Sequence, residues 1–315
     1  TSAGRIWWSR AMREFPSILI TGGTGGFGRA LSAHLLANNM AERICILSRG
    51  EHAQADMRMQ LGDDPRMRWM IGDVRDRDRL IRAMRGVHLV IHAAALKRIE
   101  VGRWNPEEMV KTNIVGALNV VEAARIAGVG RVVALSTDKA CESISAYGHS
   151  KAMMESIMLA ANETSGACGP RFAVTRFGNV WCSPGSVVPK WVDLLRRGAR
   201  EVPLSSPMAT RFYITMQQAV DLVIGAAAHM QGGELAIPAL PAYRMADLVE
   251  AFGVEARVVG LPKWEKLHEV MREGEPSCDA ERLDVDFLRR AIFEATGYDG
   301  QHARWAAMQE LKHAS

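Results

Sequence analysis

The feature that most constrains the fold is a short aliphatic run, Ser17-Ile-Leu-Ile20, that leads directly into Thr21-Gly-Gly-Thr-Gly-Gly-Phe-Gly28. A helical pattern of apolar residues follows over residues 27–39. Glycines at 22, 25 and 28 let the chain turn sharply, bring backbone N–H groups close to a pyrophosphate, and allow the helix to pack tightly on the strand. A glycine string alone is weak evidence. At a strand-to-helix junction it stands where dinucleotide binding needs it, so contacts are assigned to Gly22, Thr24, Gly25, Gly26, Phe27 and Gly28.

The rest of the first half continues the alternation. Strand-like runs at 43–47, 68–71, 87–91, 131–135 and 172–176 are separated by helical stretches at 76–84, 107–127 and 147–163. Such β-α repetition predicts an α/β, Rossmann-like, doubly wound parallel sheet with ligands at the carboxyl ends of the strands. Beyond Gly178, Pro184, Pro189, Pro203 and Pro207 punctuate loops, a strand and helix return over 212–230, and 241–300 read as a small mixed lobe. The expected organisation is a nucleotide-binding domain over 16–178 with a return segment at 212–240. A smaller substrate lobe comprises 179–211 and 241–315.

Composition narrows the function classes. The net charge of +4 is too small for a nucleic-acid partner, and runs such as Asp73-Val-Arg-Asp-Arg-Asp-Arg79 intersperse both signs, as a solvated surface does. The five cysteines are odd in number and form no CxxC or Cys/His cluster. Neither a disulfide framework nor a metal site is expected, and a reducing cytoplasm fits best. Residues 1–16 carry basic side chains and the Trp7-Trp8 pair but no long apolar core. They read as a peripheral extension docking its tryptophans on the domain, not as a signal peptide. No run approaches the ~20 apolar residues of a membrane span.

The end of the second strand bears on the cofactor. An NAD site usually carries an acid there for the ribose 2′-OH. Here the strand ends in Ser48-Arg49-Gly50-Glu51, and a hydroxyl beside a planar guanidinium suits a 2′-phosphate, so NADP is favoured. The alternative is that Arg49 is merely exposed and Glu51 takes the acidic role. Asp73 and Val74, after the third strand, stand where the adenine amino group would be received.

Strand 131–135 runs into Ser136-Thr137-Asp138-Lys139, and Tyr147 and Lys151 follow one helical turn apart, on a common face. A lysine so placed lowers the tyrosine's pKa and holds a ribose. The phenolate then serves as base for a substrate hydroxyl whose carbon gives up hydride.

Gly22-x-x-Gly25-x-x-Gly28, His92-Ala-Ala-Ala95, Lys111-Thr-Asn113 and Tyr147-x-x-x-Lys151 together resemble the extended short-chain dehydrogenase/reductases. Within them, Ser136-Thr-Asp-Lys-Ala140, His92-Ala-Ala-Ala-Leu-Lys97, Arg176-Phe-Gly-Asn-Val180 and Glu265-Lys-Leu-His-Glu269 are similar to the inverting UDP-N-acetylglucosamine 4,6-dehydratases, over roughly residues 17–271. The resemblance implies an NADP-dependent nucleotide-sugar hydro-lyase that oxidises C4, eliminates water across C5–C6 and returns hydride to C6, inverting C5. It implies Thr137, Asp138, Lys139, Tyr147 and Lys151 as catalytic residues, with Lys139 the C5 base and Asp138 the acid at O6. Further cofactor contacts would come from Ala93, Ala94, Ala95, Lys97 and Asn113. Substrate contacts would come from Lys97, Asn179, Val187, Arg211, Lys263 and Glu265.

Three stretches depart from that pattern, all on the substrate side. Glu142-Ser-Ile-Ser145 replaces an Asn-Pro-x-Asn stretch, Met208-Ala-Thr-Arg211 keeps only the second arginine of Arg-Met-Thr-Arg, and Pro262-Lys-Trp-Glu-Lys266 replaces Arg-Pro-Gly-Glu-Lys. Loss of arginines at Met208 and Pro262 removes two expected bidentate grips on a diphosphate, for which Lys263 or one of Arg196, Arg197 and Arg200 could compensate. The rival readings are a sugar-nucleotide C4 epimerase or ketoreductase, and a non-catalytic NADP-binding regulator. Apolar residues on more than one face of the helices at 107–127 and 147–163, notably Met153, Met154, Ile157 and Met158, predict a homo-oligomer.

Overall fold

The computed structural model describes residues 15–299. These divide into two compact units: the chain up to Phe177 with Met216–Pro238, and Gly178–Thr215 with the chain from Ala239. The expected docking of Trp7 and Trp8 lies outside the described residues.

The first unit is built on seven parallel strands: β1 (Ser17–Thr21), β2 (Arg43–Ser48), β3 (Met67–Ile71), β4 (Leu89–His92), β5 (Arg131–Thr137), β6 (Arg171–Phe177) and the short β7 (Leu235–Ala236). Their spatial order is β3-β2-β1-β4-β5-β6-β7. Because β1 is flanked by β2 on one side and β4 on the other, the crossovers diverge there and leave a crevice at the carboxyl ends of β1 and β4. Strands Ser17–Thr21 and Leu89–His92 are buried throughout, which is why they read as continuous apolar runs rather than alternating ones.

Leu19, Val90, Val132, Ala134 and Phe172 on one face of this sheet pack with Val120, Ala124, Met154 and Met158 from the helices Gly116–Ala127 and Ala146–Glu163. Local chemistry sets the helix ends. Asp76 caps the helix Arg77–Met84 by accepting from the Arg79 N–H, Ser145 caps Ala146–Glu163 by accepting from the Gly148 N–H, and Gly128 ends Gly116–Ala127 in the left-handed region.

One helix departs from expectation. The predicted continuous helix at 107–127 is instead Pro106–Met109, a π-helical segment Val110–Val115, and Gly116–Ala127. The segment buries Thr112 and Asn113, two polar residues that a regular apolar stripe would not carry.

The second unit has its own core of Trp191, Tyr213, Tyr243, Leu248, Phe252, Leu288 and Ile292. The indole N–H of Trp191 donates to the Pro203 carbonyl (3.1 Å), so the buried ring keeps its polar edge satisfied. Glu201–Leu204 pairs in parallel with Glu255–Val258, and Thr210–Phe212 antiparallel with Ala242–Arg244. That second pairing draws 210–215 into this unit, so the return to the first unit begins at Met216 rather than at 212.

Candidate active site

The glycine loop follows β1 and its steric demands are explicit. Gly22 has φ +65°, and a Cβ there would lie 2.7 Å from the Ala94 Cα. At Gly28 a Cβ would lie 2.3 Å from the Gly23 carbonyl oxygen. Gly25 precedes the helix Gly26–Ala37 and no side chain caps it, which leaves the helix N-terminus open to an anionic ligand. Arg29 braces the loop from behind, donating to the Thr24 carbonyl (2.9 Å) and to the Ala53 carbonyl (2.9 Å). The half-buried Phe27 ring stacks on Phe177 with centroids 6.4 Å apart, which helps anchor the helix.

After β2, Ser48 is buried and its hydroxyl accepts from Gln54 Nε2 (2.9 Å), which also donates to the Met70 carbonyl (2.9 Å). Arg49 is exposed and approaches Asp73 only to 4.0 Å. The Asp73 carboxylate is gripped instead by Arg75, through Nη2 (2.7 Å) and Nε (3.0 Å). Burial works to raise the Asp73 pKa, but these bonds and the nearby Arg49 charge outweigh it and hold the carboxyl below its ordinary value. Val74 turns inward against Gly116, and its carbonyl accepts from Asn119 (3.0 Å). Its apolar side chain is core, not lining.

The segment after β4 is held at several points. Ala93 N–H donates to the Thr21 carbonyl (3.2 Å) and Ala94 N–H to the Thr21 hydroxyl (3.3 Å). Asn113, on the π-helical segment, accepts from the Leu96 N–H (2.8 Å) and donates to the Leu96 carbonyl (2.9 Å) and to Ser150 Oγ (2.9 Å). Its amide is thereby spent on fixing the loop to the helix Ala146–Glu163. Ala95 is half-buried and Lys97 exposed on this loop. Desolvation by its surroundings, aided by the Arg98 charge, lowers the Lys97 ammonium pKa.

At the end of β5, Asp138 is fully buried. Its Oδ1 accepts from the Thr137 hydroxyl (3.0 Å) and from Lys139 Nζ (3.1 Å). The helix bearing Tyr147 and Lys151 packs directly on this turn, because a Cβ on Gly148 would sit 2.3 Å from the Lys139 carbonyl oxygen. Tyr147 is half-buried. Lys151 is buried, and desolvation pushes its ammonium down to about 8 despite the opposing pull of Glu155. Glu155, one turn further along, forms a buried ion pair with Arg176 of β6, with Nε donating to Oε1 at 2.9 Å. His92, at the end of β4, is buried with Nδ1 2.8 Å from Thr21 Oγ1. Burial, and secondarily the Lys151 charge, push its pKa to about 3, so the ring is neutral at physiological pH.

The first unit therefore gathers the glycine loop, Ser48, Arg49, Asp73, the 93–97 loop, Thr137, Asp138, Lys139, Tyr147 and Lys151 along one edge of its sheet. The other expected residues belong to the second unit. Asn179 and Lys263 are exposed, and Val187 opens the helix Val187–Arg196. Arg211 is buried and committed internally: it donates to the Thr210 carbonyl (2.7 Å), the Leu267 carbonyl (3.1 Å) and the Glu265 carboxylate. Desolvation would lower its pKa, but Glu269 and Glu265 prevail and raise it.

Several residues of the site had no place in the sequence reading. Gly148 and Ser145 surround the tyrosine, and Gln54 orients Ser48. Glu155 had a usable signal, being a carboxylate four residues after Lys151 on the same helical face.

A parallel sheet with a glycine loop at its first junction and a Tyr-x-x-x-Lys helix beside its fifth strand defines a Rossmann-type short-chain dehydrogenase/reductase enzyme. Residues 18–288 match the polysaccharide biosynthesis protein family, and the chain belongs to it. An inverting UDP-N-acetylglucosamine 4,6-dehydratase of Campylobacter jejuni is 43% identical over 83% of this chain and 78% of its own length. A UDP-glucose 4-epimerase of Rickettsia bellii is 38% identical over 85% of this chain and 80% of its own. Among solved structures, Pen from Bacillus thuringiensis aligns with a TM-score of 0.85 and 27% identity, covering 89% of this chain and 98% of that one. The fold is also that of the dTDP-glucose 4,6-dehydratase DesIV from Streptomyces venezuelae, at TM-score 0.76 and 24% identity over 89% and 97% of the two chains. Among the described residues, no helix is long and apolar enough to cross a membrane.

Proposed function

We propose that the protein is a nucleotide-sugar 4,6-dehydratase that inverts C5 and works with a nicotinamide dinucleotide, NADP in preference to NAD. The observation that carries the reading is the pair of buried Asp138 and half-buried Lys139, bonded at 3.1 Å on the turn against which the Tyr147 helix packs. The first unit fits a dinucleotide, because Gly22 and Gly28 leave no room for a side chain and no side chain occupies the helix N-terminus behind Gly25. Ser48 at the end of β2 and the exposed Arg49 beside it support a 2′-phosphate. Asn113 contributes by shaping the 93–97 loop.

When bound, the nicotinamide supplies a hydride acceptor for C4 and later a hydride donor for C6. Tyr147, with Lys151 behind it, takes the proton of the C4 hydroxyl as that carbon is oxidised. Lys139 removes the C5 proton that the new ketone has made acidic, and Asp138 protonates the departing C6 hydroxyl. As found, the hydrogen bonds to Asp138 suit a carboxylate paired with an ammonium. Moving one proton from Lys139 Nζ to Asp138 Oδ1 turns that resting pair into the base and acid the elimination needs, with no change in net charge. Arg211 is tied to Glu265 and so is not assigned as a diphosphate grip.

The Rickettsia relative supports a second reading, a C4 epimerase, which needs Tyr147 but not the Asp138–Lys139 pair. Mass spectrometry of UDP-N-acetylglucosamine and related nucleotide sugars incubated with the protein separates the two. Loss of one water is the dehydratase outcome, whereas conserved mass with a changed sugar refutes it. Self-association is also inferred, through outward residues such as Leu118 and Met153. Met154 and Met158 face the core and cannot contribute. Sedimentation showing a monomer at micromolar concentration would exclude it.

A further inference from the structure

Thr21 and His92 are register partners across β1 and β4. Each lies two residues beyond a core residue, Leu19 and Val90, so both point to the sheet face that packs on Met154 and Met158. Lys151 is three residues before Met154 on that same helical face, and its charge is felt at the His92 ring.

One arrangement of protons satisfies both the threonine hydroxyl and the ring's Nδ1. Thr21 Oγ1 accepts the Ala94 N–H and stands 2.8 Å from His92 Nδ1. A hydroxyl has one proton to give. Given to Nδ1, it satisfies the threonine and leaves the ring's proton on Nε2. The reverse arrangement would strand the hydroxyl proton in a buried place. Nε2 itself is buried and has no hydrogen-bond partner among the described residues.

We propose that Thr21 holds His92 as its neutral Nε2–H tautomer, so that a buried N–H is presented to an oxygen acceptor beside Lys151. That oxygen is either a hydroxyl of the bound cofactor or one fixed water. His92 is thus a positioning residue, acting on whatever lies against Lys151. The tautomer is independent of the substrate, while the identity of the oxygen rests on the dinucleotide reading above.

The test is imidazole nitrogen NMR of the full chain labelled with nitrogen-15 histidine, with cofactor bound and with cofactor removed. His92→Gln assigns the signal. The expected result is a ring with the proton on Nε2 and no titration across neutral pH. A shift of that N–H signal on removing cofactor identifies a cofactor hydroxyl, and an unmoved signal identifies a water; both support the donor role. Thr21→Val should mix the tautomers and, where the acceptor is a cofactor hydroxyl, weaken cofactor binding about tenfold, the effect of one hydrogen bond, with Thr21→Ser restoring the wild-type behaviour. A wild-type ring protonated on Nδ1, a ring titrating near neutral pH, or a Thr21→Val protein with an unchanged tautomer would overturn the proposal. None of these outcomes depends on turnover, so failure of the dehydratase reading is separately visible.

Discussion

Replacing Gly148 by alanine tests the brace between the Tyr147 helix and the Asp138–Lys139 turn. The new Cβ would stand 2.3 Å from the Lys139 carbonyl oxygen and 2.9 Å from Ser143 Cβ, whereas ordinary contact begins at 3.4 Å. Neither obstacle is a flexible side-chain end, so helix and turn must part by about 1 Å. Overpacking of this kind costs about 1–3 kcal/mol, which a domain of this size survives. Misplacing reacting groups by about 1 Å costs on the order of a hundredfold in rate. Gly148→Ala should therefore fold and bind cofactor while its kcat for dehydrated product falls roughly a hundredfold. Gly62→Ala is the control: its φ of +65° strains any side chain, but nothing lies within 4 Å of the added carbon. That variant should lose stability and keep kcat. If Gly148→Ala turns over at the wild-type rate, the packing of helix on turn does not position Lys139 and the geometric argument fails.

Lys139→Ala should retain fold and cofactor but lose about a hundred- to ten-thousandfold in dehydration rate, and wild-type product formed in deuterated water should carry deuterium at C5. Arg49→Glu should shift cofactor preference toward NAD, read by mass spectrometry of nucleotide released on denaturation; release of NAD alone from wild type would refute the 2′-phosphate argument. Lys151 has a folded pKa of about 8 against an ordinary 10.5, so the unfolded chain binds more protons between those values and stability without cofactor should rise with pH across that window. Lys151→Met should accordingly raise the cofactor-free Tm at neutral pH by several degrees while abolishing activity; an unchanged Tm would show that burying the ammonium costs the fold little.

The parallel sheet and its glycine loop were legible because their signals are local: apolar runs bounded by turns, and glycines at a junction where any side chain collides with backbone. The Tyr147–Lys151 spacing was equally plain, since one helical turn fixes a shared face. Other features depend on partners distant in sequence. The π-helical segment is invisible to a 3.6-residue period and is explained only by Asn113 reaching Leu96 and Ser150. Arg211 reads as an anion grip until Glu265 and two carbonyls are found occupying it. Phe27 and Val74 fall within segments expected to bind the cofactor, yet their side chains pack on Phe177 and against Gly116.

The first unit's sheet is completed out of order along the chain, and synthesis on a ribosome must contend with that. Six strands are made by Phe177, but the seventh, which pairs with β6, arrives only at Leu235–Ala236, after a stretch belonging to the other unit has emerged. Until then β6 is a nascent edge, with the backbone groups around Val174 and Thr175 unpaired on that side. The interval is one in which two half-made copies on neighbouring ribosomes could pair edge to edge. The polar, tightly turning residues Gln231-Gly-Gly-Glu234 then deliver the short strand that covers Val174 and Thr175.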